Sequence, residues 1–301
     1  MKLTILGCYS ATPRIVAHTT SQVLETRGHL FLIDCGEGTQ VELRKHKVKF
    51  NQIKHIFISH LHGDHYFGLI GLISTFRLLT RETDLHIYGP KGLKDIITLQ
   101  LKLSKSWTDY KLIFHELSST ESELIFEDDK VSVYTIPLDH RVYTNGFLFK
   151  EKSFERKLLI DKAEANQIDV AYYRKLKQGA DVINKNGDLI SNTDVTTDGP
   201  PAKSYAFCSD TVYNEAIVPI IRHVDALYHE ATFLEDHADL APKTKHSTAK
   251  QAAQIAKLAQ VETLILGHYS SRYKNLEDFK KEARCIFGSV ELAQDGKIFQ
   301  L

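Results

Sequence analysis

The chain has 301 residues and balances 38 Lys+Arg against 38 Asp+Glu, a formal net charge of zero. With 43% hydrophobic and 25% charged residues it has the composition of a soluble globular protein, which excludes collagen-like, low-complexity and wholly disordered chains. The balanced charge excludes a protein that coats nucleic acid or anionic membrane through its overall field, and leaves a local basic patch open.

Lys2 to Leu6 reads as a first short strand. Ser21 to Thr26 and His29 to Ile33 flank Arg27-Gly28 as a hairpin. Asp34-Cys35-Gly36-Glu37-Gly38 is a glycine-rich turn into a helix, for which Thr39 and Glu42 have capping-box spacing. Ile53 to Ser59 reads as a strand, Tyr66 to Leu79 as a mostly buried helix, and Leu85 to Tyr88 as a strand stopped by Gly89-Pro90. Strands follow at Lys111 to Glu116 and Val131 to Pro137. Residues 150–200 are charged, hold Gly179, Gly187, Gly199, Pro200 and Pro201, and lack a sustained apolar period. They read as an arm inserted into one layered core, helical around Lys162 to Leu176. Strands Tyr205 to Cys208, Ala226 to His229 and Thr263 to Leu266 follow, with helices at Thr248 to Ala259 and Leu276 to Phe287. Strands alternating with helices give an α/β class.

Cys8, Cys35, Cys208 and Cys285 are widely spaced without a CxxC pair, the pattern of reduced thiols. Too little chain precedes Cys8 for a leader, and the apolar run Tyr66 to Ser74 is too short to span a bilayer. The expectation is a cytoplasmic protein with no membrane anchor.

The densest chemistry lies in Ser59-His60-Leu61-His62-Gly63-Asp64-His65, after a strand and before a helix. His60 and His62 are two apart, so an extended backbone turns both imidazoles to one side, while Asp64 and His65 face a second point after the turn. Imidazoles with a carboxylate and no cysteine suit borderline divalent metals, zinc first. His140, Asp210 and His268 follow strands at equivalent places and complete the donor set.

His60-Leu61-His62-Gly63-Asp64-His65 with His140, Asp210 and His268 resembles the metallo-β-lactamase superfamily. The ligands alone also suit a hydrolase of that fold acting on small phosphodiesters or (thio)esters. Asp34 to Gln40, His229-Glu230-Ala231-Thr232, His246-Ser247-Thr248 and Gly267 to Tyr273 are similar to the ribonuclease Z family, in the same order across nearly the whole chain. The resemblance implies a four-layer αβ/βα sandwich over residues 1–301, with a protruding tRNA-binding arm at about 150–200.

It also implies two Zn²⁺ per subunit. His60, His62 and His140 would hold one and Asp64, His65 and His268 the other, with Asp210 bridging and Asp64 also acting as general base. The implied activity is removal of the 3′ trailer from precursor tRNA by a homodimer, leaving a 3′-hydroxyl on the tRNA and a 5′-phosphate on the trailer. His246, oriented by Glu230, would protonate the leaving O3′. Thr248 and Gln251 have capping-box spacing at a helix start, a place for phosphate, so Ser247 and Thr248 are expected to contact substrate with Arg272, Lys175 and Lys177. The chain departs from the family at 13–20, where only Pro13-Arg14 matches, and in lacking a glycine-proline step before Tyr172 to Leu176.

Overall fold

The structure is a computed structural model that describes residues 1–12 and 17–301. The start of the divergent loop, 13–16, lies outside the described residues. The chain forms two compact units, Met1–Lys150 with Lys203–Leu301, and Glu151–Ala202.

The elements before residue 152 are β1 (Lys2–Gly7), β2 (Ser21–Thr26), β3 (His29–Ile33), α1 (Thr39–Lys45), β4 (His55–Phe57), α2 (Gly63–Tyr66), α3 (Leu69–Leu78), β5 (Leu85–Pro90), α4 (Leu93–Leu103), β6 (Leu112–Leu117), β7 (Leu124–Glu127), β8 (Val131–Leu138) and β9 (Thr144–Glu151). The smaller unit contains β10 (Lys157–Leu158), α5 (Ile160–Ala165), α6 (Tyr173–Lys177), β11 (Val182–Ile183), β12 (Leu189–Ile190), α7 (Asn192–Val195) and β13 (Thr196–Thr197). The larger unit resumes with β14 (Ser204–Cys208), β15 (Ala226–Glu230), α8 (Leu240–Thr244), α9 (Ala249–Ala259), β16 (Thr263–Gly267), α10 (Glu277–Arg284), β17 (Val290–Leu292) and β18 (Ile298–Gln300).

Two seven-stranded sheets build the larger unit, in the orders β18-β1-β2-β3-β4-β5-β6 and β17-β16-β15-β14-β9-β8-β7. Both are mixed: β3 to β6 run parallel and β1 to β3 antiparallel, while β14 to β17 run parallel and β9 is antiparallel to β14. One face of the first sheet packs Leu32, Ile56 and Ile87 on Leu72, Ile73 and Phe76 of α3 and Ile97 of α4. Its other face meets the second sheet through rings such as Phe31 on Phe149 and Phe57 on Phe147, each pair 5.4 Å between centroids. α9 seals the outer face of the second sheet with Ala252, Ile255 and Ala256. The result is helix, sheet, sheet, helix. Strands buried on both faces read as continuous apolar runs, which is why β3 and β16 stand out in the sequence.

Local differences have local causes. The run Tyr66 to Leu79 is not one helix: Tyr66 ends α2 and α3 begins at Leu69, with the Gly68 N–H donating outside the helix to the Cys35 carbonyl at 2.9 Å. The expected capping box at Thr39 and Glu42 does not form. Gly38 is the N-cap in a left-handed conformation, φ 81°, without a side-chain bond, and Thr39 Oγ1 donates to the Gly36 carbonyl. The box at Thr248 and Gln251 forms in both directions. The expected helix Lys162 to Leu176 is α5 and α6 with a short 3-10 turn before α6. Strands β7, β9, β17 and β18 and helix α4 lie in stretches that the sequence reading left unassigned.

The smaller unit has its own small core of Ala163, Ile168, Leu176, Val182 and Val195. Cys8, Cys35 and Cys208 are buried free thiols and Cys285 is exposed. Among the described residues, no helix is long and apolar enough to cross a membrane.

Near the amino-terminal ends of the parallel strands of the first sheet, His29, His55 and His86 sit on β3, β4 and β5, with His115 midway along β6. His55 stacks on His86 at 5.0 Å and Phe126 of β7 lies 4.6 Å from the His55 ring. His86 Nδ1 is 3.0 Å from His115 Nε2, and Asp128 lies 2.7 Å from His29. Burial, then the positive charges of His86, His29, His115 and Lys54, push His55 down to about 3. Its neutral form therefore stabilises the fold fully above the ordinary imidazole value of about 6.5 in the unfolded chain, and that stability is lost as pH falls from there toward 3. His55→Phe should flatten the acid side of the melting-temperature profile relative to the parent between pH 7 and 5. Parallel profiles would show that His55 binds its proton alike in the folded and unfolded states.

Candidate metal centre and active site

The loops after β3, β4, β8, β14, β15 and β16 supply the site. His60 leaves β4, His62 has the extended backbone of an N-cap (φ −78°, ψ 144°), and Asp64 and His65 occupy the first turn of α2. The backbone turns sharply where side chains must face inward. Asp34, Asp210 and His268 follow β3, β14 and β16 with φ of 55°, 62° and 58°, left-handed conformations that cost a non-glycine residue on the order of 1 kcal/mol or more.

Two clusters form around Asp210. Its Oδ2 lies 3.6 Å from both His60 Nε2 and His140 Nε2. His62 Nδ1 sits 3.0 Å from His60 Nε2 and 3.2 Å from His140 Nε2. Asp210 Oδ1 faces the other way, 3.2 Å from His65 Nε2 and 3.1 Å from His268 Nε2. Asp64 Oδ2 lies 3.4 and 3.6 Å from the same two nitrogens. Ligand-capable atoms of His60, His62, His140 and Asp210 all lie within 4.8 Å of one another, as do those of Asp64, His65 and His268.

Hydrogen bonds at the outer ring nitrogens assign the tautomers. Asp34 accepts from Ser59 N (2.7 Å), Ser59 Oγ (2.8 Å) and His65 Nδ1 (2.6 Å). Ser59 Oγ, having donated to Asp34, accepts from His60 Nδ1 at 3.1 Å. His140 Nδ1 donates to the Lys245 carbonyl at 2.8 Å. Thr232 Oγ1 donates to Glu230 at 2.6 Å and accepts from His268 Nδ1 at 2.9 Å. Each of these imidazoles therefore presents a bare Nε2 lone pair inward. His65 Nε2 and His268 Nε2 are buried without a hydrogen-bond partner while facing carboxylate oxygens. Lone pairs set against carboxylates repel unless cations lie between them, so the residues fit a pair of metal ions, and nitrogen with oxygen donors fits zinc.

His246 borders both clusters, its ring centroid 5.1 Å from His140 and 5.3 Å from His268. Its Nδ1 donates to Glu230 Oε1 at 2.8 Å. Glu230 is fully buried and also accepts from Thr211 N at 2.8 Å and Thr232 N at 3.1 Å. Burial alone would depress His246, but the Glu230 carboxylate and its hydrogen bond outweigh this and raise it to about 9. Burial raises Glu230, and the His246 charge with its hydrogen bond reverses that to leave it lowered. Asp210, His246 and His268 also fall within metal-ligand reach of one another, leaving His246 Nε2 the one ring nitrogen not engaged by Glu230.

These side chains line a cavity of about 320 Å³ with Ser10, Ala11, Arg141, Phe233 and Arg272. Arg272 packs over the Phe233 ring at 5.8 Å. Ser247 and Thr248, expected at the substrate, are both fully buried, Ser247 Oγ donating to the Thr211 carbonyl and Thr248 Oγ1 capping α9. In the smaller unit Lys175 Nζ lies over the Tyr172 ring at 5.5 Å, and Lys177 pairs with Glu155 at 3.2 Å. Asp34, Thr232 and Arg141 were missed as contributors in the sequence. Asp34 and Thr232 stand inside motifs already singled out, but their partners are distant in the chain.

Two helix-flanked mixed sheets with this histidine-aspartate site at their strand ends define a hydrolase of the metallo-β-lactamase fold. A family model described as Anti-Pycsar protein Apyc1 matches residues 1–154, a segment that ends before Asp210, His246 and His268. Ribonuclease Z of Bacteroides fragilis is 44% identical over 300 residues, covering 100% of this chain and 99% of the relative. Ribonuclease Z of Bacteroides thetaiotaomicron is 46% identical over 294 residues, covering 98% and 93%. The solved structure of human tRNase Z, short form, superposes with a TM-score of 0.72 at 28% identity, covering 100% of this chain and 99% of that one. The chain belongs to the ribonuclease Z family, metal-dependent endoribonucleases that hydrolyse phosphodiesters.

Asp34→Asn replaces an acceptor of three hydrogen bonds by a group that must turn an N–H toward one of its donors. It should weaken divalent-metal binding about 10- to 100-fold, the usual effect of losing an outer-sphere partner, read by competition between the protein and a chromogenic chelator. Unchanged affinity would mean that His65 is oriented without Asp34.

Proposed function

We propose that this chain is a zinc-dependent, cytoplasmic endoribonuclease that removes the 3′ trailer from precursor tRNA, leaving a 3′-hydroxyl on the tRNA and a 5′-phosphate on the trailer. The observation that carries the reading is a two-cluster donor site, flanked by the His246–Glu230 pair, on a chain that matches relatives named Ribonuclease Z from end to end.

His60, His62 and His140 would hold one ion and Asp64, His65 and His268 the other, with Asp210 shared. Divalent ions bound there would make water nucleophilic at neutral pH and would neutralise charge building on the phosphoryl oxygens. Asp64 receives the proton of the attacking water. His246, cationic at neutral pH beside Glu230, gives a proton to the departing O3′. Arg141 and Arg272 are the cations placed to meet phosphates at the cavity. Lys175, Lys177 and the surrounding bases of Glu151–Ala202 bind the body of the tRNA. A second copy of the chain would cover the exposed apolar side chains Val41, Phe67, Leu78, Leu99 and Leu103, giving a homodimer.

His246→Ala should lower cleavage of 3′-extended precursor tRNA about 10²- to 10⁴-fold while sparing an aryl phosphodiester, whose leaving group needs little protonation. It should still bind two zinc ions per chain. Loss of one ion would make His246 a ligand, and equal losses on both substrates would remove it as the acid.

Lys150 and Ser204 are register partners in adjacent strands, so a short bridge can replace Glu151–Ala202 without parting β9 from β14. The shortened protein should keep its rate on the aryl phosphodiester within a few-fold. It should bind precursor tRNA more weakly and with a shallower salt dependence, because fewer phosphates are neutralised. Unchanged tRNA affinity would move the binding surface elsewhere.

A further inference from the structure

We infer that His18 is a positioning residue that clasps Tyr9-Ser10-Ala11, after β1, so that the Ala11 backbone N–H is held on Asp64. The inference rests on the reading of Asp64 as a metal ligand. Ser10 and Ala11 line the catalytic cavity. Ala11 N donates to Asp64 Oδ2 at 2.9 Å, the same oxygen that faces His65 and His268. Ala11 does so at φ 39°, a left-handed conformation that alanine keeps only when its surroundings hold it. The outgoing limb is bonded to the site from below, since Ser10 N donates to the carbonyl of Tyr269, the residue after His268, at 3.1 Å.

The returning limb is fixed by His18. Its carbonyl accepts from Tyr9 N at 3.1 Å, tying the limbs together. Its backbone N donates to Asp295 Oδ2 at 2.8 Å, and its ring reaches the same oxygen from Nδ1 at 3.0 Å. The other ring nitrogen, Nε2, lies 3.3 Å from Glu42 Oε1 on α1. The groups around this clasp are few. Glu42 Oε2 also meets Lys45 at 3.2 Å and His46 at 3.1 Å, and Asp295 Oδ1 accepts from Cys8 Sγ at 3.5 Å. Glu42 is 2% and Asp295 12% exposed, so neither carboxylate is left to water. The two ring nitrogens of His18 thus face two different carboxylates. His18 joins α1 and the turn before β18 to a segment whose backbone N–H donates to Asp64. No carboxylate of this clasp belongs to the metal clusters, so its effect on them passes through the Ser10-Ala11 backbone.

The test compares the parent chain with His18→Gln, His18→Arg and Asp64→Asn. Zinc stoichiometry and affinity are measured by chelator competition, melting temperature without metal, and kcat and KM on an aryl phosphodiester. His18→Gln reaches only one carboxylate and should weaken the more loosely held zinc about tenfold, the lower range for an outer-sphere loss, and lower kcat with KM little changed. His18→Arg, a cation with several donors, should recover most of both. Asp64→Asn should weaken the same ion. If Asp64→Asn leaves zinc binding intact, the reading of Asp64 as a ligand is overturned, and this inference with it. If Asp64→Asn weakens zinc while His18→Gln lowers only the melting temperature, Asp64 stands as a ligand and His18 is a stability contact alone. A His18→Gln chain that fails to fold transfers the decision to His18→Arg against His18→Lys, where recovery of zinc affinity must follow the ability to bond both carboxylates.

Discussion

The site depends on the hydrogen bonds at the outer ring nitrogens of His60, His65, His140 and His268. A neutral imidazole can aim its lone pair at either side, and only a committed N–H at the far nitrogen makes one tautomer the lower in energy. Asp34, through Ser59 and directly, fixes His60 and His65 together. Glu230, through Thr232, fixes His268 and also holds His246. Each sheet thus contributes one fully buried carboxylate at the end of a strand. Such a group is stable there only because it accepts several hydrogen bonds, and those donors are the groups that need orienting.

The same arrangement explains why the sandwich places its chemistry along one edge. Parallel strands bring the ends of β3 and β4 together in one sheet and those of β14, β15 and β16 together in the other. Asp210 then needs only its two oxygens to address both clusters. Left-handed backbone at Asp34, Asp210 and His268 turns the chain at each strand end, a cost borne by the rigid sheets that pack through Phe31, Phe57, Phe147 and Phe149.

Glu151–Ala202 is built on a different scale. Its strands are two residues long and its core small, enough to give it a shape but far from the buried area of the larger unit. It leaves and re-enters the larger unit at neighbouring positions of β9 and β14, a place where insertion disturbs no strand pairing.

The metal motif was legible because its spacing is local. Two histidines on an extended stretch, then an aspartate and a histidine in the next turn, face their targets whatever the remainder of the chain does. The capping box of Thr248 and Gln251 was legible for the same reason, and so were the apolar runs of β3 and β16. Where a side chain had partners from elsewhere in the fold, the local reading failed. Glu42 has capping spacing from Thr39 but is taken by His18, His46 and Lys45. A continuous apolar run was divided between α2 and α3 where the Gly68 N–H donates to the distant Cys35 carbonyl. Asp34 carries no local mark of its task, since Ser59 and His65 reach it only after β3 and β4 pair. Residue type and short spacing set which atoms could bind a metal, whereas the pairing of distant strands set which nitrogen of each ring faces it.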